Sequence, residues 1–161
     1  MPQEEPDLTI RTMRPEEAET LVQLILDTFE HASLAKNITD RYGLINGHDW
    51  KERKGESARE DIKSADVVLV GEIDGAVAAM MTLSWDRKYA TGHIPHLAVA
   101  KEFQGRGFGR RMIRAGLDMM RAEGLKYARI DALEQNERAV GLYTSEGFSE
   151  VGKKIHLFRP L

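Results

Sequence analysis

The chain contains no cysteine among its 161 residues. A disulfide framework, a thiolate metal site and a cysteine nucleophile are therefore excluded. Chemistry that proceeds through a covalent enzyme intermediate on sulfur is excluded with them, which leaves direct attack by an acceptor as the simpler route for any group transfer.

The chain also lacks a long apolar run and a large excess of one charge. No stretch approaches the roughly 18 apolar residues of a membrane-crossing helix, and residues 1–7 are polar and acidic rather than a signal peptide. The formal net charge of −3 gives no reason to expect nucleic acid or a membrane as a partner. We therefore expect a soluble protein of the cytoplasm.

The residues that are present have an ordinary globular composition, with 42% hydrophobic and 30% charged residues. A length of 161 residues suits one domain with a sizeable core. We expect a single domain over residues 1–161, since the sequence shows no internal repeat, low-complexity tract or linker.

The most informative stretch is a glycine-rich loop between a short apolar strand and a helix. Residues 97–100 are apolar, and Gln104-Gly105-Arg106-Gly107-Phe108-Gly109-Arg110-Arg111 follow them. Each glycine at a helix start costs about 0.5–1 kcal/mol relative to alanine, so this spacing indicates that something approaches the backbone closely. Free N–H groups at a helix start favour a phosphate. The pattern is neither the dinucleotide-binding fingerprint nor a P-loop, and a tight strand-to-helix turn is the structural alternative.

Two motifs together resemble the GNAT superfamily of N-acetyltransferases. The first is Gln104-x-x-Gly107-x-Gly109, and the second runs from Asn136 to Tyr143 and is followed by Gly147-Phe148. The resemblance covers roughly residues 67–158. It implies an α/β fold with a mixed central sheet of about six to seven strands flanked by helices. It also implies acetyl-CoA, or another acyl-CoA, as the donor and an amine of a small molecule or peptide as the acceptor.

The resemblance assigns the donor site to the loop, the strand before it and the second motif. The strand backbone would bind the pantetheine amides, and the loop would bind the diphosphate. A gap between the strand that ends at Ala100 and the one that ends at Leu133 would hold the pantetheine arm. No metal is expected. The residues given a donor-binding role are Leu97, Ala98, Val99, Gln104, Gly105, Arg106, Gly107, Phe108, Gly109, Arg110, Asn136 and Tyr143.

Tyr143 is the candidate general acid. It shares a helical stripe with Asn136 and Val140, where a tyrosine by itself is usually a core anchor. The matched motif implies that Tyr143 protonates the departing coenzyme A thiolate. A tyrosine with a pKa near 10 is protonated at neutral pH, and transfer of its proton to a thiolate with a pKa near 8.5 is uphill by about 2 kcal/mol.

Asp131 is the candidate base or amine-positioning group, and His96 is the runner-up. Asp131 stands in the otherwise apolar predicted strand 127–133, where similar ribosomal-protein N-terminal acetyltransferases carry a catalytic carboxylate. The alternative is a salt bridge with an arginine or with His96. An aspartate is about 6.5 pKa units less basic than a lysine-like amine, so Asp131 would position the amine or a water relay, or act as a base with a raised pKa.

His93 and His96 lie on one predicted strand, 93–100. They point to opposite faces if the strand is regular, so only one is expected to reach the site. Related arylalkylamine acetyltransferases carry histidines on this strand, but Pro95 replaces the second of them, which argues against a two-histidine relay. A hydrogen-bonded or exposed role is the alternative for each histidine.

The rest of the chain fits the same α/β pattern. Strands are predicted at 8–11, 67–73, 76–85, 148–151 and 153–158, with an Asp74-Gly75 hairpin turn and helices at 15–29, 58–64, 107–123 and 137–146. Residues 31–57 form the least regular region. Its large apolar residues either line the acceptor site or anchor the loop; they are Tyr42, Leu44, Ile45 and Trp50.

The sequence therefore favours an N-acetyltransferase that transfers an acetyl group from acetyl-CoA to a primary amine by direct attack in a ternary complex. A non-catalytic acyl-CoA-binding or sensing module is the alternative, and a nucleotide-binding regulator is a third reading. The identity of the amine stays open. So does the oligomeric state, with a homodimer as one alternative because dimers are common in this superfamily.

Overall fold

The computed structural model describes residues 7–161. Over that range, six strands form one sheet beside five α-helices. The strands are β1 (Thr9–Thr12), β2 (Val67–Ile73), β3 (Ala76–Asp86), β4 (Thr91–Ile94), β5 (Leu97–Val99) and β6 (Tyr127–Ile130). The helices are α1 (Ala18–Thr28), α2 (Leu34–Tyr42), α3 (Trp50–Ser64), α4 (Phe108–Ala122) and α5 (Glu137–Ser145). No helix in this part of the chain is long and apolar enough to cross a lipid bilayer.

The sheet is mixed, as expected. Its order is β1-β2-β3-β4-β6, and β5 pairs with β3. Antiparallel pairing joins β1 through β4, and β4 pairs in parallel with β6 after a crossover that contains α4. Asp74 and Gly75 turn the chain between β2 and β3 with φ values of 50° and 80°, which fits the predicted hairpin. The prediction of a mixed α/β fold with a six-stranded sheet is confirmed.

Helices cover both faces of the sheet. On one face, α1 and α3 pack through Leu21 and Ala58 against a cluster that includes Met80. On the other face, Met112 of α4 joins a cluster that includes Met81. Because neighbouring strand residues point to opposite faces, consecutive methionines of β3 anchor the two layers.

The sheet splits where β4 gives way to β5. β4 lies between β3 and β6, and its last pair with β6 is Ile94 with Ile130. After Pro95 and His96, β5 pairs with β3 alone. The chain past Ile94 therefore diverges from β6 and leaves a cleft between β5 and the end of β6. This cleft lies where the resemblance places the gap in the sheet.

The predicted boundaries in residues 31–64 are wrong. Two helices occupy this region, and α3 begins at Trp50 rather than near Ala58. The side chains of Ser33 and Asp49 accept hydrogen bonds from backbone N–H groups in the first turns of α2 and α3. Such N-caps start a helix where the apolar stripe does not yet show it. Trp50, the first residue of α3, is only 6% exposed.

The predicted strand over 127–133 ends earlier, at Ile130. β4, its partner, ends at the matching Ile94, so the hydrogen-bonded ladder stops there. Asp131 therefore follows the strand instead of standing inside it, and its side chain is 78% exposed. An exposed carboxylate carries no burial penalty, so that part of the argument for Asp131 no longer applies.

The two strands predicted at 148–151 and 153–158 are absent. The chain runs from Phe148 to Leu161 without regular hydrogen bonding. Alternating apolar residues form a strand only where a neighbouring edge supplies hydrogen bonds, and within residues 7–161 this segment is paired with no strand.

Candidate functional site

A cleft beside β5, at the split in the sheet, has a volume of about 350 Å³, and none of its lining residues belongs to β6. Its walls come from β5, the glycine-rich loop, the first turn of α4 and one side of α5. Every residue given a donor-binding role lines it except Arg106. Sequence reasoning missed several further lining residues, among them Phe29 at the end of α1 and Leu142 and Arg138 on α5. The signal of Phe29 and Leu142 was the apolar stripe of each helix, which marks a buried face but does not say what lies opposite.

The main-chain N–H groups at the start of α4 are free of protein partners. Gly107 precedes the helix with φ 77°, and no side chain caps it. Within residues 7–161, the N–H groups of residues 105–110 donate to no protein acceptor, and the helical pattern begins with Arg111 donating to the Gly107 carbonyl. Free N–H groups at a helix start, aligned with the helix dipole, form a site for a phosphate group.

Gly107 and Gly109 serve this end of the cleft differently. A Cβ atom on Gly109 would lie 3.1 Å from Leu142 Cδ2 and 3.7 Å from Val99 Cγ2. Gly109 therefore lets α4 approach both walls of the cleft closely. A Cβ atom on Gly107 would meet nothing within 4 Å, so this glycine is needed for its positive φ and leaves open space beside the free N–H groups.

The backbone of β5 also presents groups to the cleft. His96 accepts from Thr82 N–H, and Ala100 donates to the Ala78 carbonyl, so the even-numbered residues bond to β3. Alternation then directs the N–H and C=O groups of Leu97 and Val99 away from β3, towards the cleft. The side chain of Gln104 binds one of these backbone groups, because its Nε2 donates to the Val99 carbonyl at 2.9 Å.

The three arginines of the loop differ in their partners. Arg110 forms an ion pair with Glu146, and Arg111 donates to the Leu8 carbonyl at 2.7 Å. Among residues 7–161, Arg106 has no carboxylate partner, and its guanidinium lies 5.7 Å from the ring centroid of Phe103. Arg106 is therefore the loop arginine whose charge is available to a ligand, although it does not line the cleft.

Glu146 connects α4 to α5. Its side chain is 6% exposed and pairs with Arg110 and Arg114 of α4. The hydrogen bond from Arg114, together with that from Arg110, holds the pKa of Glu146 below its usual range. This pairing fixes the helix that carries Tyr143 against the helix whose start holds the free N–H groups. Its sequence signal was the helical spacing of the two arginines.

Tyr143 lines the cleft from α5. Its ring packs edge-on against Phe148, with centroids 6.3 Å apart. Burial, and to a lesser extent the charge of Asp131, raises the pKa of Tyr143 to about 12. The phenol is protonated at any ordinary pH, and within residues 7–161 its hydroxyl has no hydrogen-bond partner. A proton on this oxygen is free to be donated into the cleft.

Two histidine–carboxylate pairs lie beside the cleft. His93 Nε2 is 3.0 Å from Asp131 Oδ1, and His96 Nε2 is 2.8 Å from Asp61 Oδ2. The partner of Asp131 is thus His93, not His96, and Arg129 contacts it only at 4.0 Å. Neither Asp131 nor His96 lines the cleft itself. Within residues 7–161, no group of three or more such side chains is arranged to hold a metal ion.

The pair of His96 with Asp61 lies behind Phe29. His96 is 6% exposed, and its ring is edge-on to that of Phe29, which lines the cleft, with centroids 6.2 Å apart. The hydrogen bond from His96 lowers the pKa of Asp61. Lys54 lies over the other part of the Phe29 ring at 5.5 Å, and burial lowers its pKa. Asp61 and Lys54 were missed because both stand among the many charges of α3.

Comparison with known proteins gives a family match over most of the chain. Residues 20–148 match the model of the acetyltransferase (GNAT) family. A mycothiol acetyltransferase of Beutenbergia cavernae is 34% identical over 127 residues, which cover 76% of this chain and 42% of that protein. The N-alpha-acetyltransferase RimI of Mycobacterium tuberculosis is 38% identical over 63 residues, 39% of this chain and 38% of that protein. The matched stretch thus covers about two fifths of the length of each of these relatives.

Solved structures agree on the fold. PaiA N-acetyltransferase of Thermoplasma acidophilum, solved in complex with coenzyme A, has a TM-score of 0.70 at 17% identity, covering 89% of this chain and 90% of that one. At this identity the likeness concerns the fold alone. The family match, covering both motifs and the cleft between them, identifies the chain as a member of the GNAT family of acetyltransferases.

Proposed function

We propose that this protein is an N-acetyltransferase that uses acetyl-CoA to acetylate a primary amine by direct attack in a ternary complex. One observation carries the proposal: a single cleft joins free N–H groups at the start of α4 to the hydroxyl of Tyr143. The free N–H groups suit a diphosphate, and the hydroxyl of Tyr143 suits a departing thiolate. The two curated relatives described above are named for different acceptors, so a small-molecule amine and a peptide amine both fit the family.

The donor is held mainly by backbone. N–H groups of residues 105–110 bind the diphosphate, and Arg106 adds a charge nearby. The cleft-facing groups of Leu97 and Val99 bind the pantetheine amides and polarise the thioester carbonyl. Gln104 already holds the Val99 carbonyl, and Arg138 donates to Gln104 at 3.0 Å, so these side chains brace the cleft wall.

The reaction is addition followed by elimination. The amine lone pair attacks the thioester carbonyl carbon and forms a C–N bond, and the carbonyl oxygen becomes negatively charged. The C–S bond then breaks, its electron pair leaves with sulfur, and the Tyr143 hydroxyl gives its proton to that thiolate. With a pKa of about 12 for Tyr143, transfer to a thiolate near 8.5 is uphill by about 5 kcal/mol. Burial of the thiolate in the apolar cleft reduces this cost by raising its basicity.

The amine loses one proton in forming the amide. We assign the role of proton acceptor to His96, which forms a hydrogen bond with the ionised Asp61. A water molecule beside Phe29 would carry the proton from the amine to His96. Asp131, exposed and held by His93, attracts and positions the incoming amine. An imidazole is closer in basicity to an α-amine than to a lysine side chain, so a weakly basic amine is the favoured acceptor.

Thiol release tests the proposal. The chain has no cysteine, so a thiol-reactive dye reports only free coenzyme A. Purified protein is mixed with acetyl-CoA and a panel of amines: a peptide α-amine, an α-blocked lysine, an amino sugar and a polyamine. We expect amine-dependent thiol release with at least one acceptor. Binding of acetyl-CoA without turnover on any amine would instead support a sensing module, and equal binding of ATP and coenzyme A would support a nucleotide-binding regulator.

A further inference from the structure

Arg138, in the first turn of α5, carries a charge that the fold itself does not use. Its side chain is exposed and lines the cleft. Among residues 7–161, no carboxylate pairs with it, and its Nη1 donates instead to the neutral amide of Gln104, at 3.0 Å from Oε1. The carboxylate four residues earlier, Glu134, is bonded to Lys153. The guanidinium of Arg138 is therefore available to an anion in the cleft.

The guanidinium of Arg138 lies over the glycine-rich loop. A Cβ atom on Gly105 would be 3.8 Å from Arg138 Nη2. Gly105 begins the run of residues 105–110, whose N–H groups donate to no protein acceptor within residues 7–161. A guanidinium has hydrogen-bond donors and no acceptor, so it and the free N–H groups present donors to the space between them. A positively charged site made of donors suits a phosphate group.

Gln104 joins Arg138 to the opposite wall of the cleft. Its Nε2 donates to the Val99 carbonyl at 2.9 Å, while its Oε1 accepts from Arg138. Val99 belongs to β5 and Arg138 to α5, so this one side chain spans the space between the two walls. The Val99 carbonyl faces the cleft, where the proposed function requires it for an amide of the pantetheine arm. Gln104 therefore holds a hydrogen-bonding position that an incoming pantetheine amide would take over.

We propose that Arg138 is a further donor-binding residue, which leaves Gln104 and binds a phosphate group of acetyl-CoA when the pantetheine arm displaces the Gln104 amide from Val99. The exchange favours the phosphate, because a guanidinium can donate two parallel hydrogen bonds to this anion, whereas Gln104 is neutral. The bridge from Arg138 through Gln104 to Val99 thus braces the cleft until the donor enters. This inference rests on the proposed function, since it takes acetyl-CoA as the donor.

The first test compares donors that carry different phosphate groups, by thiol release with an amine that the protein acetylates. Arg138→Gln should lower kcat/KM for acetyl-CoA about tenfold and leave kcat/KM for acetyl-pantetheine, which has no phosphate, unchanged. Acetyl-dephospho-CoA keeps the diphosphate and lacks the ribose phosphate. A loss with both nucleotide donors places Arg138 on the diphosphate, and a loss with acetyl-CoA alone places it on the ribose phosphate. An equal loss with all three donors, or no loss with any, would overturn the inference.

Two further variants control for charge and folding. Arg121→Gln is the matched control, because Arg121 is an exposed helical arginine, bonded to Asp118 at 2.6 Å, that does not line the cleft. It should keep the wild-type kcat/KM for every donor. Arg138→Lys keeps the charge but not the paired donors of a guanidinium, so its kcat/KM for acetyl-CoA should fall between those of wild type and Arg138→Gln. Circular dichroism should show all three variants folded.

The second test separates an action of Arg138 on the donor from an action through Gln104. Calorimetric titration gives the dissociation constant of acetyl-CoA for wild type, Gln104→Leu, Arg138→Gln and the double variant. Partner exchange predicts that Arg138→Gln weakens binding at least as much in the Gln104→Leu background as in wild type, because Gln104 competes with the phosphate for the guanidinium. If Arg138 only braces Gln104, Arg138→Gln has no effect in that background, and the inference is overturned.

The inference and the proposed function fail on different results. No saturable binding of acetyl-CoA to the wild-type protein would overturn the proposed function and this inference with it. Saturable binding and amine-dependent turnover that Arg138→Gln leaves unchanged would overturn this inference alone.

Discussion

His96 and Asp61 are 35 positions apart in the sequence, yet His96 Nε2 lies 2.8 Å from a carboxylate oxygen of Asp61. One side chain comes from the chain between β4 and β5, where the sheet splits, and the other comes from α3. His96 is almost fully buried, while 39% of the Asp61 side chain is exposed. The pair thus connects the inside of the fold beside the cleft to solvent.

Asp61→Asn should lower kcat about tenfold and leave the KM for acetyl-CoA unchanged, because in our proposal the pair handles the amine proton and does not touch the donor. The hydrogen bond from His96 lowers the pKa of Asp61, so Asp61 stays ionised at neutral pH. A change in the pH dependence of kcat/KM in the variant would show that the charge of Asp61 acts on the proton-handling step. An unchanged kcat and pH profile would remove this pair from the mechanism.

Asp131→Asn should raise the KM for the amine severalfold and change kcat by less. Asp131 is exposed and held at 3.0 Å by His93, so its expected role is to attract and place a cationic acceptor. Steady-state kinetics with the amine varied at saturating acetyl-CoA separates the two constants. Arg129→Gln, which alters a neighbouring exposed charge at 4.0 Å from Asp131, is the control and should leave the KM near the wild-type value.

Tyr143→Phe should lower kcat about a hundredfold while the dissociation constant of acetyl-CoA stays the same. The ring contact with Phe148 survives the change, so the helix should keep its place. Because the pKa of Tyr143 is about 12, wild-type activity should show no loss from tyrosine ionisation up to about pH 10. Tyr89→Phe, at an exposed tyrosine that does not line the cleft, serves as the control. Equal kcat in wild type and Tyr143→Phe would refute the role.

Gly107→Ala should weaken acetyl-CoA binding about tenfold, which corresponds to about 1.4 kcal/mol. Gly124→Ala is a matched control, because both glycines have φ near +78° and neither has an atom within 4 Å of an added Cβ. Both substitutions impose about the same backbone strain, but only Gly107 adjoins the free N–H groups. Calorimetric titration of both variants with acetyl-CoA measures the two affinities. Equal affinity in the two variants would count against a diphosphate site at this loop.

Glu17→Gln should destabilise the fold by about 1 kcal/mol at pH 7, a figure reduced for partial exposure of the pair. Hydrogen bonds from Arg11, and from the backbone of Arg14, lower the pKa of Glu17 to about 2. A lowered folded-state pKa contributes stability above the unfolded value near 4.5, and this contribution is lost as pH falls towards 2. Urea unfolding should therefore show the difference from wild type shrinking between pH 5 and pH 3. Glu19→Gln, at an exposed pair with Arg59, should show little effect at either pH.

The sequence was sufficient for those parts of the fold that follow from local signals. The hairpin at Asp74-Gly75 and the helix after Gly107 are each set by neighbours in sequence, and the structure has both. The end of β6 could not be predicted, because it depends on where β4 stops. The absence of strands at 148–151 and 153–158 could not be predicted either. Strand formation there requires an edge supplied by another part of the fold or by another chain.

The candidate site likewise has parts that local sequence indicates and parts that it does not. The loop and Tyr143 lie in contiguous motifs, so their positions along the cleft followed from the sequence. The pairing of His93 with Asp131 and of His96 with Asp61 joins distant residues, and nothing in the local pattern distinguishes Asp61 from the other carboxylates of α3. Only the packing of α3 against β5 and α1 makes that carboxylate the partner of a buried histidine.

The central claim is that the backbone at the start of α4 binds the diphosphate of acetyl-CoA and so places its thioester in the cleft beside Tyr143. Titration calorimetry of the full chain with acetyl-CoA tests it most directly. We predict saturable binding of one acetyl-CoA per chain, weakened in Gly107→Ala and unchanged in Gly124→Ala. Absence of saturable binding to the wild-type protein would contradict the account.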